Sequence, residues 1–383
     1  MISQGAVVNG KRFKSTAKAI ALAVGFSASA GTFALAADMP VKAPPPAAAP
    51  APFFFVNDTS VSFTYFFNAT DPGVRGSAGT IQGGIPGTQS TISRLSGSVD
   101  HFDVWEYGSN IFHIEMNQYG KNDPTNGIAG AAGSTEVVGF GHSTISWNAL
   151  THSKMFTNPV FTDLGWSFGG FAAGENDQLA PDDRQIDLGL AINFNLPGVV
   201  ILNVWAQKEW NHNSFLSCNG QGGAMFACAA GTPAGAQFSG DREWGWVPKL
   251  DLFVSEPLKF ITAIPVTFIS ITDVTFPKGT GVSTANIAAT VGPGAPILPF
   301  NGNFAQNLAN AETKTEIFQD AQLRFDTGKV TMGKPGIWDT YVGYRYWYNK
   351  FGTDHSAPLF SALGAQGSSI EKTVYLGTTY HFK

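Results

Sequence analysis

Ionisable and aromatic side chains recur at every second position in several segments of this 383-residue chain. Asp103, Trp105 and Tyr107 form one series, and His113, Glu115 and Asn117 a second. Asp187 and Asn193 belong to a third, Trp205 and Glu209 to a fourth, and Lys249 with Asp251 to a fifth. Asp320, Arg324 and Asp326, with Asp163 and Arg345 elsewhere, complete the set. A period of two places each series on one face of a strand. A mixed acidic and basic wall with interleaved indole and phenol rings suits a planar, uncharged, hydrogen-bonding solute that is held and released, not transformed. Stacking on an aromatic ring is worth roughly 1–3 kcal/mol per base, which still permits release. Each of these side chains could equally be a filler, carboxylate and guanidinium neutralising one another.

Covalent chemistry has less support. His142 with Ser143, Thr144 and Ser146 invites comparison with outer-membrane phospholipases. Adjacent His142 and Ser143 point to opposite faces of a strand, and the His-x-Ser-Asn-Gly arrangement that such an enzyme needs is missing. No catalytic residue is therefore nominated. Cys218 and Cys228 are the two cysteines. In an exported protein their Gly/Ala-rich setting reads as one disulfide closing a small loop, worth about 2–3 kcal/mol. No His or acidic cluster has metal-ligand spacing, and neither metal nor cofactor is expected.

The elements that must carry these residues follow from the chain's ends and composition. Residues 1–36 read as a secretory signal: Lys11, Arg12, Lys14 and Lys18 precede an apolar stretch ending in the cleavage box Ala34-Leu35-Ala36. Removing those four basic residues from 23 leaves 19 against 28 acidic ones, a formal charge of −9, which disfavours nucleic acid as a partner. Residues 37–57, with Pro44-Pro45-Pro46 and Pro50, read as a semi-rigid periplasmic linker, and 58–383 as one domain. The longest apolar stretch there, Phe260 to Ile271, is Thr-containing and broken by Pro265, too short for a membrane-spanning helix. Only 13% of residues are charged, while Phe numbers 31, Trp 9 and Gly 44, which suits short aromatic-rich strands and glycine-rich loops.

Strict alternation is plainest in Arg184 to Leu196, where Ile186, Leu188, Leu190, Ile192 and Phe194 interleave with Gln185, Asp187, Gly189, Ala191 and Asn193. The same test predicts strands over 59–68, 99–107, 111–119, 135–147, 161–171, 184–196, 199–211, 243–254, 260–275, 314–327, 338–350 and 371–382, twelve in all. Long connections (69–98, 120–134, 172–183, 212–242, 276–313, 351–370) alternate with short ones (Gly108-Ser109-Asn110, 148–160, Pro197-Gly198, 255–259, 328–337). An up-and-down transmembrane β-barrel of the bacterial outer membrane has this asymmetry, long loops outside and short turns in the periplasm. Aromatics at strand ends, among them Trp147, Trp205, Trp210, Trp338 and Trp347, are expected at the two interfaces. A soluble sandwich or lipocalin-like barrel would bury the apolar stripe instead.

The stretch from His101 to Phe112 resembles the opening hairpin of the nucleoside-specific channel-forming Tsx-like proteins. Leu190 to Trp210, around Asn195-Leu196-Pro197-Gly198, is similar to that family's strand, turn and strand. Gly343-Tyr344-Arg345-Tyr346-Trp347-Tyr348-Asn349-Lys350-Phe351-Gly352 is similar to its penultimate strand, so the resemblance runs from about residue 100 to the C-terminus. It implies a monomeric twelve-stranded porin-like barrel embedded in outer-membrane lipid, passing nucleosides along a row of aromatic and ionisable side chains. Within that row Trp105, Tyr107, Glu115 and Arg345 lie in the motif-bearing segments. Gly377, Tyr380 and Phe382 have the spacing of a last-strand signal read by barrel-assembly machinery, with Lys383 as a departure. The long loops and the cysteine pair also depart from the family. The rival to a channel is a non-transporting structural barrel or adhesin, plugged by its own side chains or by 276–313.

Overall fold

The computed structural model describes residues 53–70, 91–120, 134–176, 182–212, 241–258, 265–279, 282–283, 313–352 and 369–382. The signal segment, residues 37–52 of the linker, and Cys218 and Cys228 lie outside them.

Twelve antiparallel strands close on themselves. They are β1 (Phe54–Ala69), β2 (Ile92–Trp105), β3 (Gly108–Tyr119), β4 (Thr135–Ser146), β5 (Phe161–Glu175), β6 (Asp182–Phe194), β7 (Val199–His212), β9 (Val247–Pro257), β10 (Val266–Thr275), β12 (Glu316–Asp326), β13 (Trp338–Tyr348) and β14 (Glu371–Phe382). Two further short strands, β8 (Asp241–Glu243) and β11 (Val282–Ser283), extend the sheet beyond the end of β7. First and last strands pair from Thr59↔Phe382 to Phe66↔Tyr375, and β7 pairs with β9, so the ring has no open edge.

Polarity is inverted relative to a soluble core. Phe63, Val99, Phe112, Ile186, Leu188, Leu376 and Phe382 are exposed on the outer face. Ser62, Ser98, His113, Asp187 and Thr379, on the opposite face of the same strands, are buried in the lumen. An apolar belt of this extent is rare on a soluble monomer. A charge in such a belt at mid-membrane would cost about 2–4 kcal/mol, falling to about 0–1 near the interfaces. Outward-facing Arg184, Lys372 and Asp103 accordingly lie within two residues of a strand end.

Connections alternate between a short-turn end and a long-loop end, as the sequence predicts. The first hairpin differs. Its turn is Glu106-Tyr107, with Trp105 paired to Gly108, so Gly108-Ser109-Asn110 is strand. A β-carbon at Gly108 would collide with the Thr144 carbonyl of β4; that glycine permits close strand approach, not a turn. Strand β1 starts at Phe54, four residues inside the expected linker, because Phe54 pairs with Trp105. Strand β2 starts at Ile92 instead of 99. The expected strand over 243–254 is two elements, interrupted at Trp244-Gly245-Trp246. At the short-turn end, Asp326 caps the helical turn Thr327–Met332, accepting from the Lys329 amide, and Gly333 closes it with φ 66°.

Candidate functional site

The lumen has two unlike arcs. Along β12, β13, β14, β1, β2 and β3, near the short-turn end, inward side chains bond to one another. His381 Nδ1 lies 2.9 Å from Asp58 Oδ2, and its Nε2 lies 3.4 Å from Asp339 Oδ2. Arg324 donates to Gln322 Oε1 and Thr379 Oγ1, both at 3.0 Å, and Ser62 Oγ meets Thr379 Oγ1 at 2.8 Å. Tyr341 Oη is 2.6 Å from Thr64 Oγ1, and His113 Nδ1 is 2.6 Å from Asp100 Oδ1. Buried polar groups need such partners. Glycines make room for the rings: a β-carbon at Gly343 would fall on Tyr375, and one at Gly377 on Tyr341.

Across β5 and β6 the inward residues include Ser167, Gly169 and Ala191, whose small size leaves space, while Gly165 and Gly189 let neighbouring strands approach, since a β-carbon at either would fall on the carbonyl of Ile145 or Val204. A cavity of about 220 Å³ lies in the lumen, bounded on this side by Phe140, His142, Gly169, Phe171 and Trp205. The Trp205 indole donates to Ser167 Oγ at 2.9 Å, which fixes its ring against the wall. Eight acidic and four basic residues border the cavity.

Their charges are sorted by side. Arg94 and Arg345 both lie over the Phe66 ring, 4.0 and 4.7 Å from its centre. Arg345 Nε donates to Asp320 Oδ2 at 2.9 Å, and Tyr375 donates to Asp320 Oδ1. Lys350 donates to Glu371 Oε2 at 2.9 Å and to the Thr70 carbonyl at 2.7 Å, tying the chain after β13 to the end of β1. On β6, β9 and β10 the surplus is acidic. Asp251 and Asp273 are directly paired across strands, an arrangement that like charges disfavour. Asn203 Nδ2 donates to Asp251 Oδ1 at 2.5 Å, and Lys249 Nζ lies 3.4 Å from Asp187 Oδ2.

Above the cavity, Lys278, beyond β10, donates to both oxygens of Glu209, at 2.6 and 2.7 Å. Burial opposes its charge, but the carboxylates of Glu209, Glu316 and Asp183 outweigh burial and hold the ammonium above its ordinary range.

Of the sequence candidates, His113, Glu115, Asn117, Asp187, Trp205 and Arg345 border the cavity. Asn193 and Arg324 face the lumen without bordering it. Three point elsewhere. Asp103 is on the outer face, accepting from Asn110 Nδ2 at 2.8 Å and lying 3.3 Å from His101 Nε2. Trp105 shares that face, and Tyr107 sits in the turn, its ring 5.5 Å from Trp105 and 6.4 Å from His152. The physical reason is local pairing near a strand end: Asp103 is buried on the outer face because Asn110 and His101 supply its partners there. Trp347, expected at an interface, instead borders the cavity. Arg94, Phe66, Glu136, Asp183, Asn203, Asp273 and Lys350 were not singled out by sequence. Arg94 sat in an expected loop, and Phe66 was the one break in the alternation of β1, the signal that could have flagged it. His142 faces the cavity, whereas Ser143 faces out and bonds Asn110 Oδ1 at 2.6 Å.

Neither a family profile nor a curated protein matches this chain. Among solved structures, the NanC porin matches at 8% identity over 84% of this chain and 98% of its own, with a TM-score of 0.34. The β domain of the Bordetella autotransporter BrkA matches at 10% identity, 85% and 98% coverage and a TM-score of 0.33. The outer-membrane protein OpdK of Pseudomonas aeruginosa matches at 7% identity, 85% and 99% coverage and a TM-score of 0.29. Function has to be read from the lumen itself.

Proposed function

We propose that this protein is an outer-membrane channel for passive, selective uptake of small polar solutes. One observation carries the reading: a closed ring of strands, greasy outside, encloses a cavity of about 220 Å³ walled by charged and aromatic side chains. Hydrocarbon satisfies the outer face, and the wet interior gives solutes a path that the bilayer denies them. The chain would act as a monomer, with the exposed Tyr380 and Phe382 of β14 offered to assembly machinery during insertion.

Nucleosides are the finer reading, and the Tsx-like resemblance supports it. A base would stack on Phe140, Phe171 or Trp205, and ribose hydroxyls would meet Asn117 or Asn203. Trp105 and Tyr107, on the outer face and in the first turn, lie outside this cavity and take no part in the row. Liposome swelling with a panel of nucleosides, sugars and amino acids tests both levels. Faster swelling with nucleosides than with sugars of similar size supports the finer reading, equal rates remove it, and no swelling with any solute removes the channel.

A second reading has its own observation. The bonded arc buries Asp58, Ser62, Asp100, Arg324, Thr379 and His381 together, as a non-transporting structural barrel would. Single-channel recording separates the two, since a plugged barrel gives no current steps.

A further inference from the structure

The cavity carries charge that a neutral cargo leaves unused. Arg94 is 3% exposed, and among the described residues its Nε and Nη2 have no hydrogen-bond partner. Glu371 Oε1 lies 3.7 Å from Nη2, an ion-pair distance beyond hydrogen-bond reach, while its Oε2 accepts from Lys350. On the other side Asp187, also 3% exposed, meets Lys249 through Oδ2, while its Oδ1 has no hydrogen-bond partner among the described residues. Asn203 Oδ1 and Asp273 Oδ1 are in the same position. All four side chains border the one cavity. In the ring order, β2 and β9 are six strands apart in either direction, so Arg94 stands opposite the β9 strand that β7 and β10 flank.

A buried polar atom left without a partner is destabilising, and more so when charged. A solute that supplied the missing partners would recover that cost while bound. The Arg94 side requires an acceptor, best an anion, because a guanidinium has only donors. The Asp187 side requires donors, best a cation, because a single ammonium, Lys249, is set among Asp187, Asp251 and Asp273, the last two paired across strands. Resting on the channel reading above, but not on nucleosides as cargo, we infer that the lumen binds and passes small zwitterions. Their carboxylate turns to Arg94 and their ammonium to Asp187 and Asp273. Neither end alone fills both deficits, so the preference is for the two charges on one molecule.

The test uses wild-type protein in planar bilayers and three matched probes: 6-aminohexanoate, hexanoate and pentylamine. The reading is the concentration of each that halves the single-channel current. The zwitterion is expected to act at a concentration roughly tenfold or more below either single-charge probe, since a second charge-assisted hydrogen bond adds that much. Arg94→Gln is expected to reduce it to the level of pentylamine, and Asp187→Asn with Asp273→Asn to that of hexanoate. A zwitterion no better than the better of its two halves overturns the inference, and block by adenosine in that same experiment leaves the channel standing. No current steps at all would remove channel and cargo together. If the variants fail to assemble, the comparison of three probes on the wild type still decides the matter.

Discussion

The arc from β12 through β14 to β2 and the arc from β4 to β6 have the same outside and different insides. Both present apolar side chains outward, Leu376 and Phe63 on one, Leu188 and Phe168 on the other. Inward, the first arc sets tyrosine against glycine and arginine against carboxylate near the short-turn end, and Arg94, Asp320 and Arg345 carry it to the edge of the cavity. The second puts small residues, Ser167, Gly169 and Ala191, inward and leaves room for a cavity. Whether a stretch of barrel is wall or path is thus decided by the volume and pairing of inward side chains, not by the regularity of its strands.

The contrast can be broken most severely at Asp320, which accepts from both Arg345 and Tyr375. Asp320→Ala leaves a buried guanidinium without its acceptor and is expected to cost about 3–5 kcal/mol, read by urea unfolding of protein in lipid vesicles. A loss below about 1 kcal/mol, within the range of an exposed surface pair, would show that the bonded arc does not hold the barrel together. Next in size is Gly343→Val, which drives Tyr375 off its site and is expected to cost about 1–3 kcal/mol in the same assay.

The open arc should respond in the opposite sense. An added β-carbon at Gly169 makes ordinary contacts, with the Asp187 and His142 β-carbons at 3.4 Å and the Gly141 carbonyl oxygen at 3.6 Å. Gly169→Phe is therefore expected to assemble normally while cutting single-channel conductance roughly severalfold, because its ring occupies the cavity. Unaltered conductance would move the path away from β5. The smallest effect concerns selectivity. With eight acidic and four basic residues around the cavity, reversal potentials in a salt gradient are expected to show a preference for cations. Asp187→Asn is expected to lower that preference roughly twofold, since one of several charges is removed. Anion preference in the wild type would contradict this assignment of the wall.

Much of the outer architecture was legible in the sequence because its cause is local. Ile186, Leu188 and Leu190 alternate with Asp187 and Gly189 whatever lies across the ring, so strand, face and neighbours follow together. The inner geometry depends on partners distant in sequence. Nothing near Arg94 announces that it will share Phe66 with Arg345, 251 residues further on. Nor does Gly343 reveal that Tyr375 needs its missing side chain. The first hairpin failed for a different reason. Gly108 reads as a turn residue, when its role is to let Thr144 approach, and Asp103, polar in an alternating segment, reads as inward although Asn110 and His101 pair with it on the outer face. Depth along a strand, which decides whether an outward charge is tolerable, is not written in alternation.

Inverted polarity itself is open to direct measurement on β6. With Cys218 and Cys228 replaced by serine, spin labels are placed singly from residue 186 to residue 192, in bilayers, and their collisions with oxygen and with a water-soluble relaxant are compared. Labels at 186, 188, 190 and 192 are expected to meet oxygen from the hydrocarbon, and those at 187, 189 and 191 the aqueous reagent from the lumen. If the first group is shielded from both, with Leu188 sealed in a dry interior, the barrel is not a wall between lipid and water and the channel is lost.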